Sequence, residues 1–103
     1  LIFNLLKKNI SKLKLNDIIE LKNIDFFKMD PKEKHNFIYI DPPFHENLTN
    51  LKFEKIFDEN FCCKKYIVIC ETEKSFNFSN VFLQKISFER DYGGLKITII
   101  SNI

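Results

Sequence analysis

Residues 37–44 read FIYIDPPF, a short apolar run that ends in an acid, two prolines and an aromatic residue. A continuous apolar run of this length, closed by proline, is typical of a strand buried on both faces of a parallel sheet. Residues 66–70, YIVIC, form a second run of the same kind. Two such strands with helical segments between them predict an α/β fold with a mainly parallel sheet.

The segments around these runs contain further predicted elements. Apolar residues recur at helical intervals over residues 1–13 and predict an amphipathic helix of about three to four turns. A short strand is predicted at 18–21 and a short helix at 23–29, which Pro31 would end. Helical spacing at 51–57 predicts another helix between the two apolar strands.

The C-terminal part of the chain has a different pattern. Residues 81–89 and 95–101 are rich in β-forming side chains, and residues 90–94, RDYGG, separate them. This arrangement predicts a β-hairpin, which would add an antiparallel edge to the sheet. With no internal repeat and no linker, residues 1–103 are expected to form one domain or a portion of one.

Composition limits the class of protein. The 103 residues are 45% hydrophobic and 29% charged, which is typical of one globular domain. A net charge of +2, from 16 basic and 14 acidic groups, neither identifies nor excludes a nucleic-acid partner. No apolar run approaches the roughly 20 residues that cross a bilayer, so no membrane association is expected. The first residue is Leu1 and the single methionine is Met29, so we expect a fragment of a longer protein.

Cysteine and histidine usage points to a reduced chain. The three cysteines are an odd number, and Cys62 and Cys63 are adjacent, without the spacing of metal ligands. We therefore expect free thiols, a cytoplasmic location and no bound metal. Of the two histidines, His35 lies in a polar stretch and is expected to be solvated, whereas His45 follows the proline motif and could contact a substrate.

Asp41 and the residues after it have the chemistry of a receptor for a flat, amine-bearing ring. Ligands of α/β sheets bind at the carboxyl ends of strands, where Asp41 is predicted to lie. Pro42 and Pro43 fix the backbone and offer carbonyl acceptors without N–H donors. The Asp41 carboxylate and the Pro42 carbonyl can accept both hydrogens of an exocyclic NH2 group, and Phe44 can stack on the ring. The alternative is a stiff turn with Phe44 in the core.

The tetrapeptide Asp41-Pro42-Pro43-Phe44 resembles the Asp/Asn-Pro-Pro-aromatic motif of S-adenosylmethionine-dependent methyltransferases that modify exocyclic amines of bases. Over nearly all 103 residues, the chain is similar to the C-terminal part of the small-subunit ribosomal RNA guanine-N2 methyltransferases. Residues 68–71, VICE, and 90–98, RDYGGLKIT, carry this second resemblance. It implies a partial Rossmann-like fold whose first two strands, with the Gly-rich cofactor turn, would precede Leu1.

The resemblance also implies roles for individual residues. The catalytic residues would be Asp41, Pro42, Pro43 and Phe44. The cofactor would be S-adenosylmethionine, with Asn23 at the position that reaches the adenine amine and Ile24 beside the ring. The family often has Asp at the position of Asn23, and the residue alone would be interpreted as a turn residue or helix cap.

Contacts with the substrate base are implied for Phe44, His45, Glu71 and Tyr92. Without the resemblance, Glu71 is equally well interpreted as an ordinary carboxylate at the end of a strand. Tyr92 would be a turn residue of the hairpin. The implied partner is ribosomal RNA or the small ribosomal subunit, and no stable protein partner is expected.

Two other functions remain open from the sequence. The motif alone is compatible with a DNA methyltransferase acting on adenine N6 or cytosine N4. The hairpin, and the lack of an evident target-recognition domain, favour RNA. A non-catalytic α/β interaction module that contains a stiff turn is the third hypothesis. If the first two strands are missing, the 103 residues alone are expected not to bind S-adenosylmethionine measurably, not to methylate, and to be poorly soluble or self-associating.

Overall fold

A mixed sheet forms the centre of the computed structural model, which describes residues 2–24, 28, 33–41, 54–57, 61–79 and 85–103. The four strands of this described part are β1 (His35–Ile40), β2 (Cys62–Glu73), β3 (Ile86–Tyr92) and β4 (Leu95–Ser101). Their order across the sheet is β1-β2-β4-β3. A helix, α1 (Ile2–Lys12), precedes them, and a short 3₁₀ helix at Lys55–Phe57 lies between β1 and β2 in the chain.

The pairing of the strands confirms an α/β class with a C-terminal antiparallel hairpin. β1 runs parallel to β2, with Phe37 beside Ile67 and Ile40 beside Cys70. β2 is antiparallel to β4, and β4 is antiparallel to β3. The described part of the sheet is therefore mixed rather than mainly parallel, because the hairpin contributes two of its three pairings.

The two faces of the sheet differ in how they are covered. Alternate side chains of the strands lie buried on one face, which we call the covered face. Together with residues outside the sheet, they form one hydrophobic core. Its members are Ile38, Ile56, Phe61, Cys62, Tyr66, Val68, Cys70, Phe78 and Ile100. The opposite face, which we call the open face, carries Phe37 and Tyr39, with 60% and 55% of their surface exposed. Polar groups on the open face can therefore meet a ligand.

Both predicted strands of the apolar core are confirmed, with longer bounds. β1 begins at His35, two residues before the apolar run, and His35 is exposed as expected. β2 extends well beyond YIVIC at both ends, from Cys62 to Glu73. Glu71 consequently lies inside β2 instead of at its end, which corrects the prediction. Antiparallel pairing with β4 accounts for the C-terminal extension, since it continues from Ile67 to Glu73.

The predicted hairpin is also confirmed, with a tighter turn. Tyr92 is the last residue of β3 rather than a turn residue, and only Gly93 and Gly94 connect the strands. Gly93 has a φ of 61°, a left-handed conformation that glycine adopts without a steric penalty. A glycine with positive φ at the first central position is typical of the tight turns of two-residue hairpins. The first part of the predicted strand, residues 81–84, lies outside the described residues.

The strand predicted at 18–21 is wrong. This segment forms a turn followed by irregular backbone, and the N–H groups of Ile18 and Ile19 donate to the carbonyl of Leu15 at 3.0 and 2.9 Å. Ile18 is 79% exposed. A strand is stable only beside a partner that completes its hydrogen bonds, and none of the described strands pairs with this segment.

The predicted N-terminal helix is confirmed as α1. Lys14, with a φ of 58°, follows it. Its N–H donates to the carbonyl of Ser11, and the N–H of Leu15 donates to the carbonyl of Ile10. These two hydrogen bonds form the Schellman arrangement that ends helices. Although α1 is amphipathic, none of its residues is buried.

Two further predicted helices lie partly outside the described residues. Of the helix at 51–57, residues 54–57 are described, and Lys55–Phe57 form the 3₁₀ helix. Of the helix at 23–29, residues 25–27 and Met29 are not described. No helix within the described ranges is long and apolar enough to span a bilayer.

Ile100 provides a test of the covered face. Its side chain has no exposed surface, so Ile100→Ala should lower the free energy of unfolding by about 2–5 kcal/mol through lost burial and the cavity left behind. Ile103→Ala is the matched control, because Ile103 is 77% exposed and its truncation should change stability by less than about 0.5 kcal/mol. Urea unfolding of both variants measures the difference. Equal effects would contradict the assignment of Ile100 to the core.

Candidate active site

Asp41 lies directly after β1, at the carboxyl end of the strand, and is exposed. Ile40 is paired with Cys70, so the next step of the parallel register places Asp41 beside Glu71. Side chains alternate between faces along a strand, so Asp41 shares the open face with Tyr39. The parallel pairing therefore brings two carboxyl groups and a phenol together.

Tyr39 and Glu71 are joined by a hydrogen bond, in which the phenol donates to the carboxylate. This bond, partial desolvation, and the negative charges of Glu71 and then Asp41 raise the pKa of Tyr39 to about 12. All of these causes raise the pKa, because each of them disfavours the ionised phenol. An ionised Tyr39 would be partly desolvated, could no longer donate to Glu71 and would lie near two carboxylates. Tyr39 is thus a permanent donor at physiological pH.

Asp41 interacts with Glu71 as well. Partial desolvation is the largest cause that raises the pKa of Asp41, followed by the charge of Glu71 and a hydrogen bond between the two side chains. Each effect favours the neutral carboxyl group over the carboxylate. Asp41 consequently holds a proton at a higher pH than an isolated aspartate does.

The same face continues across the hairpin. Glu71 is paired with Ile97 of β4, and Ile97 is paired with Arg90 of β3. Paired residues point to the same face, so Arg90 and Tyr92 share the open face with Glu71, two strands or about 10 Å away. The Arg90 guanidinium carbon lies 5.2 Å from the centre of the Tyr92 ring, within the range of a cation–π contact. The structure thus brings Asp41, Glu71 and Tyr92 to one face.

The residues implied for cofactor binding lie elsewhere in the chain. Asn23 and Ile24 are in the irregular segment between α1 and β1, and both are exposed. Ile24 has 53% of its surface accessible, so its apolar side chain is available to a ligand. Pro42, Pro43, Phe44 and His45 lie outside the described residues.

Tyr39 and Arg90 are the residues of this face that the sequence interpretation missed. The signal for Tyr39 was available, because a residue two positions before Asp41 on a strand must share its face. The position of Arg90 on this face can be predicted only from the register of the hairpin, and that register depends on the length of the turn. A predicted five-residue turn placed Arg90 and Tyr92 outside the strands.

Two of the three cysteines, Cys62 and Cys70, are buried in the core on the covered face. All three are free, and Cys70 is fully buried, where desolvation raises the pKa of its thiol to about 12. A thiol of this kind stays protonated and is a poor nucleophile. Within the described part of the chain, no three His, Cys, Asp or Glu side chains are grouped so that they could hold a metal ion.

Comparison with known proteins identifies the family. The model of the family described as Conserved hypothetical protein 95 matches residues 1–101. The chain belongs to this family. Its match covers the helix α1, the four described strands and the motif that follows β1.

Relatives of the chain carry methyltransferase descriptions. The chain is 32% identical, over 76 residues, to a Haemophilus influenzae protein named Ribosomal RNA small subunit methyltransferase D, covering 69% of the chain and 39% of that relative. The resemblance drawn from the Asp-Pro-Pro-Phe motif is therefore confirmed at the level of the family. The chain spans about two-fifths of the length of this relative.

Solved structures share the fold. A crystal structure described as that of a candidate methylase from Haemophilus influenzae matches 97% of the chain with a TM-score of 0.72 and 25% identity, over 65% of its own length. A conserved hypothetical protein of Streptococcus pyogenes matches 95% of the chain with a TM-score of 0.75 and 20% identity, over 63% of its length. The predicted partial, Rossmann-like methyltransferase fold is thereby confirmed.

The phenol of Tyr39 provides a test of the site. Glu71→Gln removes the charge and weakens the hydrogen bond, so the pKa of Tyr39 should fall from about 12 towards the ordinary value of 10.0. Asp41→Asn should lower the same pKa by a smaller amount, since Asp41 acts only through its charge. NMR titration of tyrosine labelled at the phenolic carbon measures both, with the Tyr39 signal identified by its loss in Tyr39→Phe.

The sign of the accompanying stability change follows from the same shift. The pKa of Tyr39 is higher in the folded chain than in the unfolded one, so its contribution to stability is present below about pH 10 and is lost as the pH rises towards 12. An unchanged Tyr39 titration in Glu71→Gln would contradict the hydrogen bond.

Proposed function

We propose that this chain is part of an S-adenosylmethionine-dependent methyltransferase that modifies an exocyclic amine of a base in small-subunit ribosomal RNA, guanine N2 being the favoured target. The observation that carries the proposal is the exposed carboxyl group of Asp41 at the carboxyl end of β1, on a face that also presents Glu71 and Tyr92. Membership of the family and the printed name of the Haemophilus influenzae relative support the substrate class.

Asp41 would act on the amine as an acceptor. The lone pair of an exocyclic amine is delocalised into its ring, which makes the nitrogen a weak nucleophile. Hydrogen bonds from its two protons to the Asp41 carboxylate and the Pro42 carbonyl favour a pyramidal nitrogen whose lone pair points away from them. This is catalysis by positioning and by electrostatic preorganisation. The Asp41 carboxylate accepts the hydrogen bond more strongly than the neutral carboxyl group does, and only the carboxylate carries the negative charge that stabilises the developing positive charge.

Asn23 and Ile24 fit an adenosyl group by their chemistry. Asn23 offers an amide oxygen to the adenine amine, and the half-exposed Ile24 offers an apolar surface to the adenine ring. When bound, the cofactor supplies a methyl group that its sulfonium activates, and the remainder of the cofactor leaves as a neutral thioether. Asn23 and Ile24 would orient the adenosyl end, and Asp41 would orient the amine.

The open face suits an unpaired base. An exocyclic amine inside a duplex is not accessible, so the target nucleotide must be single-stranded or flipped out of its stack. Phe44 would replace the lost stacking, and Arg90, packed on Tyr92, would supply a cation near the RNA backbone. A cytoplasmic site of action follows from a ribosomal substrate and belongs to the same proposal.

Substitution of Asp41 tests this function. In the protein as its gene encodes it, with whatever residues the gene places before Leu1, Asp41→Ala should lower single-turnover methyl transfer to small ribosomal subunits roughly a hundredfold or more. Cofactor affinity should change much less, because Asp41 is proposed to contact the amine. Radiolabelled methyl incorporation and calorimetric titration with S-adenosylmethionine measure the two quantities. Asp17→Ala, in an exposed turn, is the matched control.

The choice of substrate decides between the alternatives. Incorporation into small subunits lacking the modification, and not into double-stranded DNA, is the expected result. Incorporation into DNA alone would support the adenine or cytosine methyltransferase instead. An Asp41→Ala variant as fast as the natural protein would refute the role of Asp41.

Phe44 tests the stacking contact. Phe44→Tyr keeps an aromatic face and should retain activity, whereas Phe44→Ala should weaken RNA binding by about 1–3 kcal/mol. Filter binding with an RNA fragment that contains the target loop measures the difference. If the alanine and tyrosine variants bind RNA equally well, Phe44 does not stack on the base.

A further inference from the structure

Tyr39 is a residue of the open face that belongs neither to the motif nor to the implied substrate contacts. Its hydroxyl donates to Glu71, and it precedes Asp41 by two residues on the same strand. Glu71 stands beside Asp41 on the neighbouring strand, one step beyond the pairing of Ile40 with Cys70. Tyr39, Asp41 and Glu71 are therefore neighbours on the open face, and the pairing of β1 with β2 fixes the positions of their backbones.

We propose that Tyr39 is a positioning residue of the candidate active site, and that its hydroxyl holds the Glu71 side chain against Asp41. The inference rests on the proposed function, because Asp41 matters to the reaction only if it receives the amine. It extends that function by assigning to Tyr39 the control of how Asp41 exchanges its proton.

The carboxyl groups of Asp41 and Glu71 repel each other when both are ionised. Like charges directly opposite each other on paired strands are destabilising. The neutral Asp41 carboxyl group can hydrogen-bond to Glu71, but the ionised one cannot. A glutamate has three side-chain torsions, so once Asp41 is ionised Glu71 can turn away into solvent unless another donor holds it. A neutral donor that bonds to Glu71 from the side of β1 opposes this movement. Tyr39 is suited to the task, since its raised pKa keeps the phenol protonated.

The surroundings supply no competing cation close by among the described residues. On the open face, β2 contributes Glu73 next to Glu71 along the strand, and the adjacent positions of β4 are the apolar Leu95 and Ile97. Among the described residues, the cation level with Glu71 across the strands is Arg90 on β3. The intervening strand β4 separates the two side chains. Lys96 lies on the covered face, where its ammonium donates to the Phe76 carbonyl. Besides the neutral Asp41 carboxyl group, Tyr39 is therefore the described donor that can fix Glu71, and it remains a donor when Asp41 is ionised.

The consequence concerns the pH at which Asp41 can accept the amine. With Glu71 held beside it, Asp41 gives up its proton at a higher pH, as its raised pKa shows. Released from Tyr39, Glu71 would move away and Asp41 would ionise at a lower pH. Tyr39 should therefore affect the acid limb of the pH–rate profile, which a purely structural role would not do.

The primary experiment is carboxyl-carbon NMR on the protein as its gene encodes it, with labelled aspartate. The signal of Asp41 is identified by its loss in Asp41→Asn. In Tyr39→Phe, which keeps the ring and removes the hydroxyl, the midpoint of the Asp41 titration should shift to lower pH. Tyr66→Phe is the matched control, because the Tyr66 hydroxyl is buried on the covered face and has no described hydrogen-bond partner. It should leave the Asp41 titration unchanged.

Two outcomes would overturn the proposal. An Asp41 midpoint that is the same in Tyr39→Phe as in the natural chain would show that Tyr39 does not hold Glu71. A midpoint that moves to higher pH would show that the phenol shields Asp41 instead of directing Glu71 towards it. Should Tyr39→Phe fail to fold, Glu71→Gln serves in its place: it must lower both the Tyr39 and the Asp41 midpoints, and failure to lower either refutes the contact.

A methylation profile separates this inference from the proposed function. With small subunits as substrate, the acid limb for Tyr39→Phe should lie at lower pH than that of the natural protein. An NMR shift without methylation of any ribosomal or DNA substrate would uphold the positioning by Tyr39 and refute the methyltransferase function. If the protein methylates its substrate but Tyr39→Phe leaves both the Asp41 titration and the acid limb unchanged, the positioning by Tyr39 is refuted and the methyltransferase function is upheld.

Discussion

The parallel pairing of β1 with β2 determines which side chains can act together in this protein. The pairing of Ile40 with Cys70 sets the register, and the following residues, Asp41 and Glu71, become neighbours. A shift of one residue would turn Glu71 to the covered face and leave Thr72 beside Asp41, because the side-chain period of a strand is two. Burial of Val68 and Cys70 on the covered face makes such a shift costly. The hydrophobic core thus fixes the geometry of a polar site on the opposite face of the sheet.

The two buried strands could be predicted from the sequence because their signal is local. A continuous apolar run of about five residues, closed by proline or a charged residue, is too short for a buried helix and is typical of a strand. The segment 18–21 has a similar composition but forms no strand, since strand formation depends on a partner that local composition does not reveal. The same dependence accounts for the length of β2 beyond its apolar run, because β4 pairs with it as far as Glu73.

The candidate site was predictable to a different degree for each residue. Asp41 could be identified from the proline motif, and Glu71 from its position after an apolar run. The contact between them could not, because it requires the register between strands that are about 30 residues apart in the chain. The apolar run predicts that Tyr39 is one more buried residue of the strand, yet 55% of its surface is exposed. Burial on both faces was the assumption that concealed it.

The neighbouring carboxyl groups of Asp41 and Glu71 indicate where on the sheet a functional site lies. Stability alone would favour a lysine or a neutral residue opposite Asp41, and the chain has many lysines. A sheet that instead keeps Asp41 and Glu71 adjacent accepts repulsion between them, and the Tyr39 hydroxyl compensates by donating a hydrogen bond to Glu71. Local arrangements that oppose stability are expected chiefly where function requires them. The electrostatics of the open face therefore point to the end of β1 independently of the proline motif, and this agreement is the physical argument for the proposed site.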